Sequence, residues 1–381
     1  MSDAQLIFKI YKLSEELPKE WDALAGNNIF LSRLYLQALQ DSAPKNMTCF
    51  FIEISRHEEL VGIAICQFID LSEISSFGER DHCIKKKIRT FVFRRFASKV
   101  LIIGNNMLTG QNTAAFKGNV AQAEIVSCLA ASLGEISKGL PKKPHLIIWK
   151  DFAPSQKADF DKRQFKNYFK FVTQPNMVFN IRSSWHSADD YIADLIKKYR
   201  DQYKRARKKA LGIDKRKLSL EDIRKYNTKI FELYMNVSRN APFNTFYLSE
   251  HHFMTLKSTL KERFLFYGYF IDGDLIGFNT LIINGRNVDT YFLGYDEKYQ
   301  KDKMLYLNML YDMIGYSVNK KYKRIIFART ALEIKSSIGA EPVELIGYIK
   351  HNNPLINLFM PRLFGFFEPK LSWQERHPFK D

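Results

Sequence analysis

Between Arg263 and Tyr295 the apolar residues come in three dense runs, RFLFYGYFID, DLIGFNTLII and NVDTYFLGY, broken only at Asp272-Gly273 and at Asn284-Gly285-Arg286. Runs rich in Phe, Ile, Leu and Tyr, joined by dipeptides that reach positive φ easily, predict an antiparallel three-stranded meander. The period then changes. In KMLYLNMLYDMIGYSVNKK, Leu307, Leu310, Ile314 and Val318 recur at helical spacing, and the short apolar run RIIFA follows. A strand that returns after such a helix lies parallel to the third strand of the meander, so a mixed sheet is expected.

The first half repeats this order more faintly: CFFIEIS and LVGIAICQFI as a hairpin, VLIIGN as a strand, NVAQAEIVSCLAASLGEIS as a helix and HLIIWK as a strand. The second hairpin strands also rhyme, Leu60-Val61-Gly62-Ile63 against Leu275-Ile276-Gly277-Phe278. Two copies of one α/β unit follow, an N-terminal domain over 1–175 and a C-terminal domain over 176–381.

Early in the second copy stands LIKKYRDQYKRARKKALGID, with eight Lys or Arg against two Asp. On a helix, Ile192, Leu195, Tyr199, Tyr203, Ala206 and Ala210 fall in one stripe, and the charges occupy the rest of the circumference. The stripe docks the helix. The charges are either a solvated face or a contact for phosphate or anionic lipid.

At 381 residues with 46% hydrophobic positions the chain has material for two cores. Fifty-eight Lys and Arg against 41 Asp and Glu leave +17, which favours anionic partners without choosing among them. Cys49, Cys66, Cys83 and Cys128 form no C-x-x-C pair and have no His at ligand spacing, which argues against a disulfide framework or a zinc site. The start MSDAQLIFKIYKLSEELPKE lacks a basic segment followed by an apolar run, and no stretch offers the roughly 20 apolar residues of a membrane span. A cytoplasmic protein is expected, with peripheral contact at the inner membrane face left open.

The tract GYDEKYQKDKMLYLNMLYDMIGYSVNKKYKRIIFARTALEIKSSIGAEP resembles the GNAT superfamily of N-acyltransferases, in its branch with two GNAT-like domains per chain. FLSRLYLQAL and LIKKYRDQYKRARKK support the resemblance. That branch includes FemAB-like and peptidoglycan-biosynthesis-type acyltransferases and brings bacterial ceramide synthases within range. The resemblance implies transfer of an acyl group from a pantetheine thioester, carried on coenzyme A or acyl carrier protein, to an amine of a small molecule, lipid or envelope precursor. It implies no permanently bound cofactor or metal.

In this fold the third meander strand and the strand after the helix splay apart, and the gap takes the amide-bearing arm of the thioester. Phe292, Leu293 and Gly294 would line it, with a backbone N–H polarising the carbonyl. The helix start would face the diphosphate. Here the sequence departs from the superfamily, because the glycine-bearing loop is replaced by Gln300-Lys301-Asp302-Lys303-Met304-Leu305. Either Lys301 and Lys303 supply point charges beside Gln300, or the loop is solvated and the donor is acyl carrier protein or another carrier.

For the base, Glu333 is placed by its position after RIIFA at the open end of the sheet, with Asp296 second; either needs burial to raise its pKa or a relaying water. Tyr295, and beside it Tyr299 and Tyr306, are proton donors to the thiolate or core residues. Arg329 and Lys335 either hold an acidic group of the acceptor or form an ion-pair network with Glu333. The resemblance places Asn244, Thr245 and Tyr247 in the acceptor pocket. His251-His252 reads as a surface feature of a helix start.

IKKKIRTFVFRRFASK (84–99) and PLINLFMPRLFGFF (354–367) are either buried connections or interfacial segments. Two rival functions stand. One is a FemAB-like transferase that uses aminoacyl-tRNA, against which the helices at 187–211 and 219–239 show no long heptad arm. The other is a nucleic-acid-binding module, against which no zinc-finger, RNP or helix-turn-helix pattern appears.

Overall fold

The computed structural model describes residues 5–74, 93–160, 165–241, 244–362 and 373–380. The chain divides into two compact units. The first comprises Met1–Thr173, Pro242–Ser249 and Glu344–Lys370; the second comprises Gln174–Ala241, Glu250–Val343 and Leu371–Asp381. Each is a mixed α/β unit around one sheet.

In the first unit the strands are β1 (Ile7–Tyr11), β2 (Met47–Arg56), β3 (Glu59–Asp70), β4 (Lys99–Ile103), β5 (Ala114–Phe116), β6 (Leu146–Phe152), β7 (Phe169–Val172) and β15 (Ile346–His351). Their order is β1-β2-β3-β4-β6-β15-β7, with β5 pairing β3. Helix α1 (Gln122–Gly139) lays Ile125, Leu129, Leu133 and Ile136 on Phe50, Ile52, Leu101 and Trp149. As the sequence pattern requires, β4 and β6 run parallel across this helix.

The second unit holds β8 (Asn176–Asn180), β9 (Asp214–Lys217), β10 (Phe264–Ile271), β11 (Asp274–Asn284), β12 (Asn287–Tyr295), β13 (Arg324–Ala328) and β14 (Glu341–Val343), in the order β14-β8-β13-β12-β11-β10-β9. Its helices are α2 (Ala188–Asp194), α3 (Lys197–Lys209), α4 (Asn227–Arg239), α5 (His252–Leu260), α6 (Glu297–Lys303), α7 (Leu305–Asn319) and α8 (Leu332–Ser336). The meander is β10, β11 and β12, turned at Asp272-Gly273 (φ 51° and 88°) and at Gly285 (φ 59°), where positive φ is the demand that Asp-Gly and Asn-Gly meet.

Alternation along the strands separates two cores. Tyr269, Ile276, Leu281, Val288 and Ile325 face α2, α3 and α7. Phe266 and Phe278 face the other way, stack on each other and meet Phe253 of α5 edge-on.

Two helical expectations need correction. The single helix expected over 187–211 is broken at Leu195, whose extended backbone (ψ 137°) bridges to Phe379 and buries the side chain completely. The apolar stripe still docks on both sides of the break, with Tyr199 and Ala206 buried. His252 is not a surface residue but fully buried. Of the 354–367 segment, Leu355, Leu358 and Phe359 are exposed apolar residues, and 363–367 lie outside the described residues, as do 84–92.

Gly294 is fixed by packing. A Cβ there would lie 2.5 Å from the backbone of Leu233 and Tyr234 in α4, which cannot yield as a side-chain tip does. Gly134, exposed on α1, meets nothing within 4 Å. Gly294→Ala is therefore expected to cost about 2 kcal/mol or more, whereas Gly134→Ala should gain about 0.5–1 kcal/mol through helix propensity. Denaturant unfolding followed by circular dichroism measures both.

Candidate active site

The parallel pair β12–β13 is short. It runs from Asn287 opposite Arg324 to Asp289 opposite Ile326 and stops. The last link is the Thr290 hydroxyl, which donates to the Ile326 carbonyl at 3.1 Å. Two local features part the strands. The register of β12 against β11 shifts between Asn279 and Leu281, so that Tyr291 and Phe292 both stand opposite Thr280, whose hydroxyl donates to the Phe292 carbonyl at 2.6 Å. Such a bulge bends a strand and increases its twist.

On the other side β13 leaves the sheet through Ala328, Thr330 and Ala331, all at positive φ (58°, 69°, 47°). That backbone is held by Lys335, whose Nζ donates to the carbonyls of Phe327 (2.6 Å) and Arg329 (2.7 Å). From Thr290 to Tyr295, β12 thus has no strand partner on the β13 side, which leaves main-chain groups for an extended ligand to pair with.

At the root of this fork lies Asp289. Val288 points into the α7 core, so Asp289 points to the opposite face, toward α4 and α5. It is 7% exposed, and its Oδ2 has no hydrogen-bond partner among the described residues. Burial pushes the carboxyl up to about 7, opposed by a hydrogen bond from Asn284. The bulge adds Tyr291 and Phe292 to the same face. The Tyr291 hydroxyl lies 3.1 Å from His252 Nε2, the two rings are stacked, and Phe292 meets Tyr234 of α4 edge-on. A carboxyl poised to take a proton and a histidine-held phenol thus share one surface beside the open strand edge.

The residues expected from sequence are distributed differently. Phe292, Leu293 and Gly294 do line the open edge of β12, although Gly294 is also the packing glycine described above. Glu333 is 53% exposed in its side chain and paired with Arg376, so burial does not raise its pKa, and of the two expected routes to a base only a relaying water is left to it. Lys335 is buried on backbone carbonyls with its pKa pushed down to about 7 by desolvation; it braces the loop and forms no ion pair with Glu333. Arg329, half-buried, lies on that loop.

Asp296 caps α6, accepting from Lys298 N at 2.9 Å. Tyr295 lies on the α7 face with Tyr306, away from Asp289, and burial raises both phenols. Asn244, Thr245 and Tyr247 belong to the first unit, where Asn46 and Asn106 bind Thr245 at 3.0 and 2.7 Å and Asn244 donates to the Tyr247 hydroxyl at 3.4 Å. The sequence did carry a signal for Asp289: an isolated acid within the apolar run of a central strand, between Val288 and Thr290.

No protein-family model matches the chain, and no curated protein does. Among solved structures it is similar to FemX, at 12% identity over 92% of this chain and 99% of that one, with a TM-score of 0.54. It is similar as well to the tandem GNAT protein from the clavulanic acid biosynthesis pathway, at 9% identity over 91% and 98%, with a TM-score of 0.51. The fold is the tandem-GNAT, FemAB-like fold.

Within this tandem-GNAT fold the two forks differ. In the first unit β4 and β6 pair from Val100/Leu146 to Ile103/Trp149, and beyond them a cavity of about 200 Å³ opens among Phe116, Ile125, Trp149, Asp151 and Phe152. Its carboxylate, Asp151, is neutralised by Lys150, which also donates to the carbonyls of Asn105 (3.0 Å) and Leu108 (2.9 Å). Asp289 has no such cation.

The helix start of the second unit's fork is filled from within. Met304 is left-handed (φ 48°, ψ 43°), and the Gln300 carboxamide accepts from Tyr306 N at 2.8 Å, where a phosphate oxygen would otherwise bind. Lys303 donates to the Leu211 carbonyl at 3.0 Å and Lys301 is exposed. Among the described residues no cluster of His, Cys, Asp or Glu is arranged to hold a metal ion, and no helix is long and apolar enough to cross a membrane.

Asp289 makes stability depend on pH with a definite sign. A carboxyl whose pKa is raised in the folded state binds its proton more tightly there, so folding weakens as pH rises from about 4 to about 7. Asp289→Asn lacks this dependence. Urea titrations from pH 4.5 to 8 should show the variant gaining on the parent until about pH 7 and then levelling; a constant difference would mean that the carboxyl is already paired.

Proposed function

We propose that the second unit is an N-acyltransferase site that forms an amide from an acyl thioester and an amine, with Asp289 as the base. The observation that carries this reading is the buried carboxyl of Asp289 at the root of the β12–β13 fork, held by Asn284 and with its Oδ2 unpartnered among the described residues. Support comes also from the fold, shared with a tandem GNAT protein. A pantetheine arm laid along Thr290–Tyr295 would pair its amides with the free strand edge. An amine entering from the α4 and α5 side would lose its proton to Asp289, and its nitrogen lone pair would attack the thioester carbonyl. As the tetrahedral adduct collapses, the carbon–sulfur bond breaks, the thiolate takes a proton from the Tyr291 hydroxyl, and the surplus proton left on the adduct nitrogen passes through His252 to restore that hydroxyl. Direct attack needs no covalent enzyme intermediate.

The filled start of α7 favours a donor whose phosphate is gripped elsewhere, an acyl carrier protein rather than free coenzyme A. The same observation, with the likeness to FemX, supports a second reading in which the acyl group is an aminoacyl ester of tRNA. The exposed Leu355, Leu358 and Phe359 and the net charge of +17 support an acceptor presented at an anionic membrane face in the cytoplasm.

The test offers the purified chain acyl-coenzyme A, acyl carrier protein thioesters or aminoacyl-tRNA, each with amino acids, amino sugars and long-chain amino alcohols, and reads amide products by mass spectrometry. Amide formation from a thioester is expected, with an acidic limb near pH 7 in kcat/KM. Asp289→Asn should lower kcat/KM by about 10²–10⁴ and abolish that limb. Product from the tRNA ester alone would select the second reading, and no amide from any donor would overturn both.

A further inference from the structure

The basic helix α3 contributes to a second pocket, on the face of the sheet opposite Asp289. Between α2, α3, α7 and β9 lies a cavity of about 320 Å³. Into it come two cations and one carboxylate: Arg207, Lys215 and Asp312. Arg207 Nη1 is 2.8 Å from Asp312 Oδ1. The other carboxylate oxygen already accepts from the Tyr269 hydroxyl at 2.9 Å, itself held by Asn279 at 2.8 Å. Lys215 is left with that same oxygen at 3.6 Å, beyond hydrogen-bond range, and with the Tyr267 ring 4.6 Å from its Nζ. Its side chain is only 32% exposed. The two cations share one carboxylate, which leaves one net positive charge at a concave, partly desolvated wall, and Tyr191, Tyr203, Tyr311 and Tyr316 contribute to the rest of the lining.

We infer that this cavity is a binding site for a phosphate ester, whose anionic oxygens bridge Lys215 and Arg207 and whose carbon portion lies against the tyrosine rings. Lys215 reaches the cavity wall beside Arg207, with Asp312 and the Tyr267 ring as its neighbours. Burial and the neighbouring guanidinium lower the Lys215 pKa while Asp312 opposes them, and a bound dianion would relieve that strain. A planar guanidinium beside a point-charge ammonium matches the fork-and-charge recognition of phosphate. Because the cavity opens on the α7 face, the ligand does not enter the chemistry at Asp289. Its role is to anchor or regulate, and it stands whether or not the acyl-transfer reading holds.

The phosphate ester is either a free metabolite or a lipid headgroup, and two probes separate them. Inorganic phosphate is added to the full chain in thermal unfolding, against sodium chloride at equal ionic strength. Vesicles of phosphatidylcholine with and without phosphatidylglycerol are used in co-sedimentation. Lys215→Met is the principal variant, since it keeps the Arg207–Asp312 bridge; Arg207→Gln is the second. A phosphate-specific rise in Tm, or phosphatidylglycerol-dependent sedimentation, that falls at least about tenfold in apparent affinity with Lys215→Met supports the site, since one lost charge-assisted contact is worth roughly that factor. The first result points to a soluble ligand and the second to a lipid. No phosphate-specific shift and no sedimentation, or either one unchanged in Lys215→Met, overturns it.

Discussion

A parallel strand pair that ends after three residues is the constraint on which the proposed chemistry of the second unit depends. Backbone groups in a sheet interior are normally paired, and leaving a row of them open next to a buried carboxyl is costly. Here the opening is enforced from both sides, by a bulge that places two residues of β12 opposite Thr280 and by a left-handed exit from β13 clamped by a buried lysine. Strain of this kind persists where the surrounding packing over-determines it, and it gathers at functional sites.

The sequence was most informative where its physics is local. The meander, its Asp-Gly and Asn-Gly turns, the long helix and the returning strand RIIFA all lie where the apolar periodicity placed them, and the weaker first-half copy has the same order. Site assignment failed where it needed tertiary information. Glu333 and Asp289 are equally acidic on paper; only the fold decides that one meets Arg376 in solvent and the other is sealed on a central strand. Lys335 reads as a cation for a substrate, yet it serves the successive carbonyls of Phe327, Ala328 and Arg329, in a turn whose left-handed residues Ala328, Thr330 and Ala331 no periodicity predicts. His252 follows a polar run that suggests a surface turn, whereas the helix it opens turns its ring inward onto Tyr291.

The positive charge sorts into distinct uses once the fold is known. Lys150 and Lys335 are consumed inside the units, on carbonyls. Arg207 and Lys215 converge on a cavity with one carboxylate between them. The remaining basic face of α3 is exposed, and its charge acts at range and weakens with salt. The missing glycines before α7 acquire a physical meaning too, since a side-chain amide now occupies the position that a glycine-rich turn would leave for phosphate.

The parting of β12 and β13 leaves Asp289 buried at its root, with one carboxyl oxygen unpartnered among the described residues. Carbon-13 NMR of protein labelled at the aspartate carboxyls, with the Asp289 signal assigned by its loss in Asp289→Asn, measures this directly. The account predicts a midpoint at about pH 7. A midpoint near the ordinary aspartate value of about 4 would contradict it.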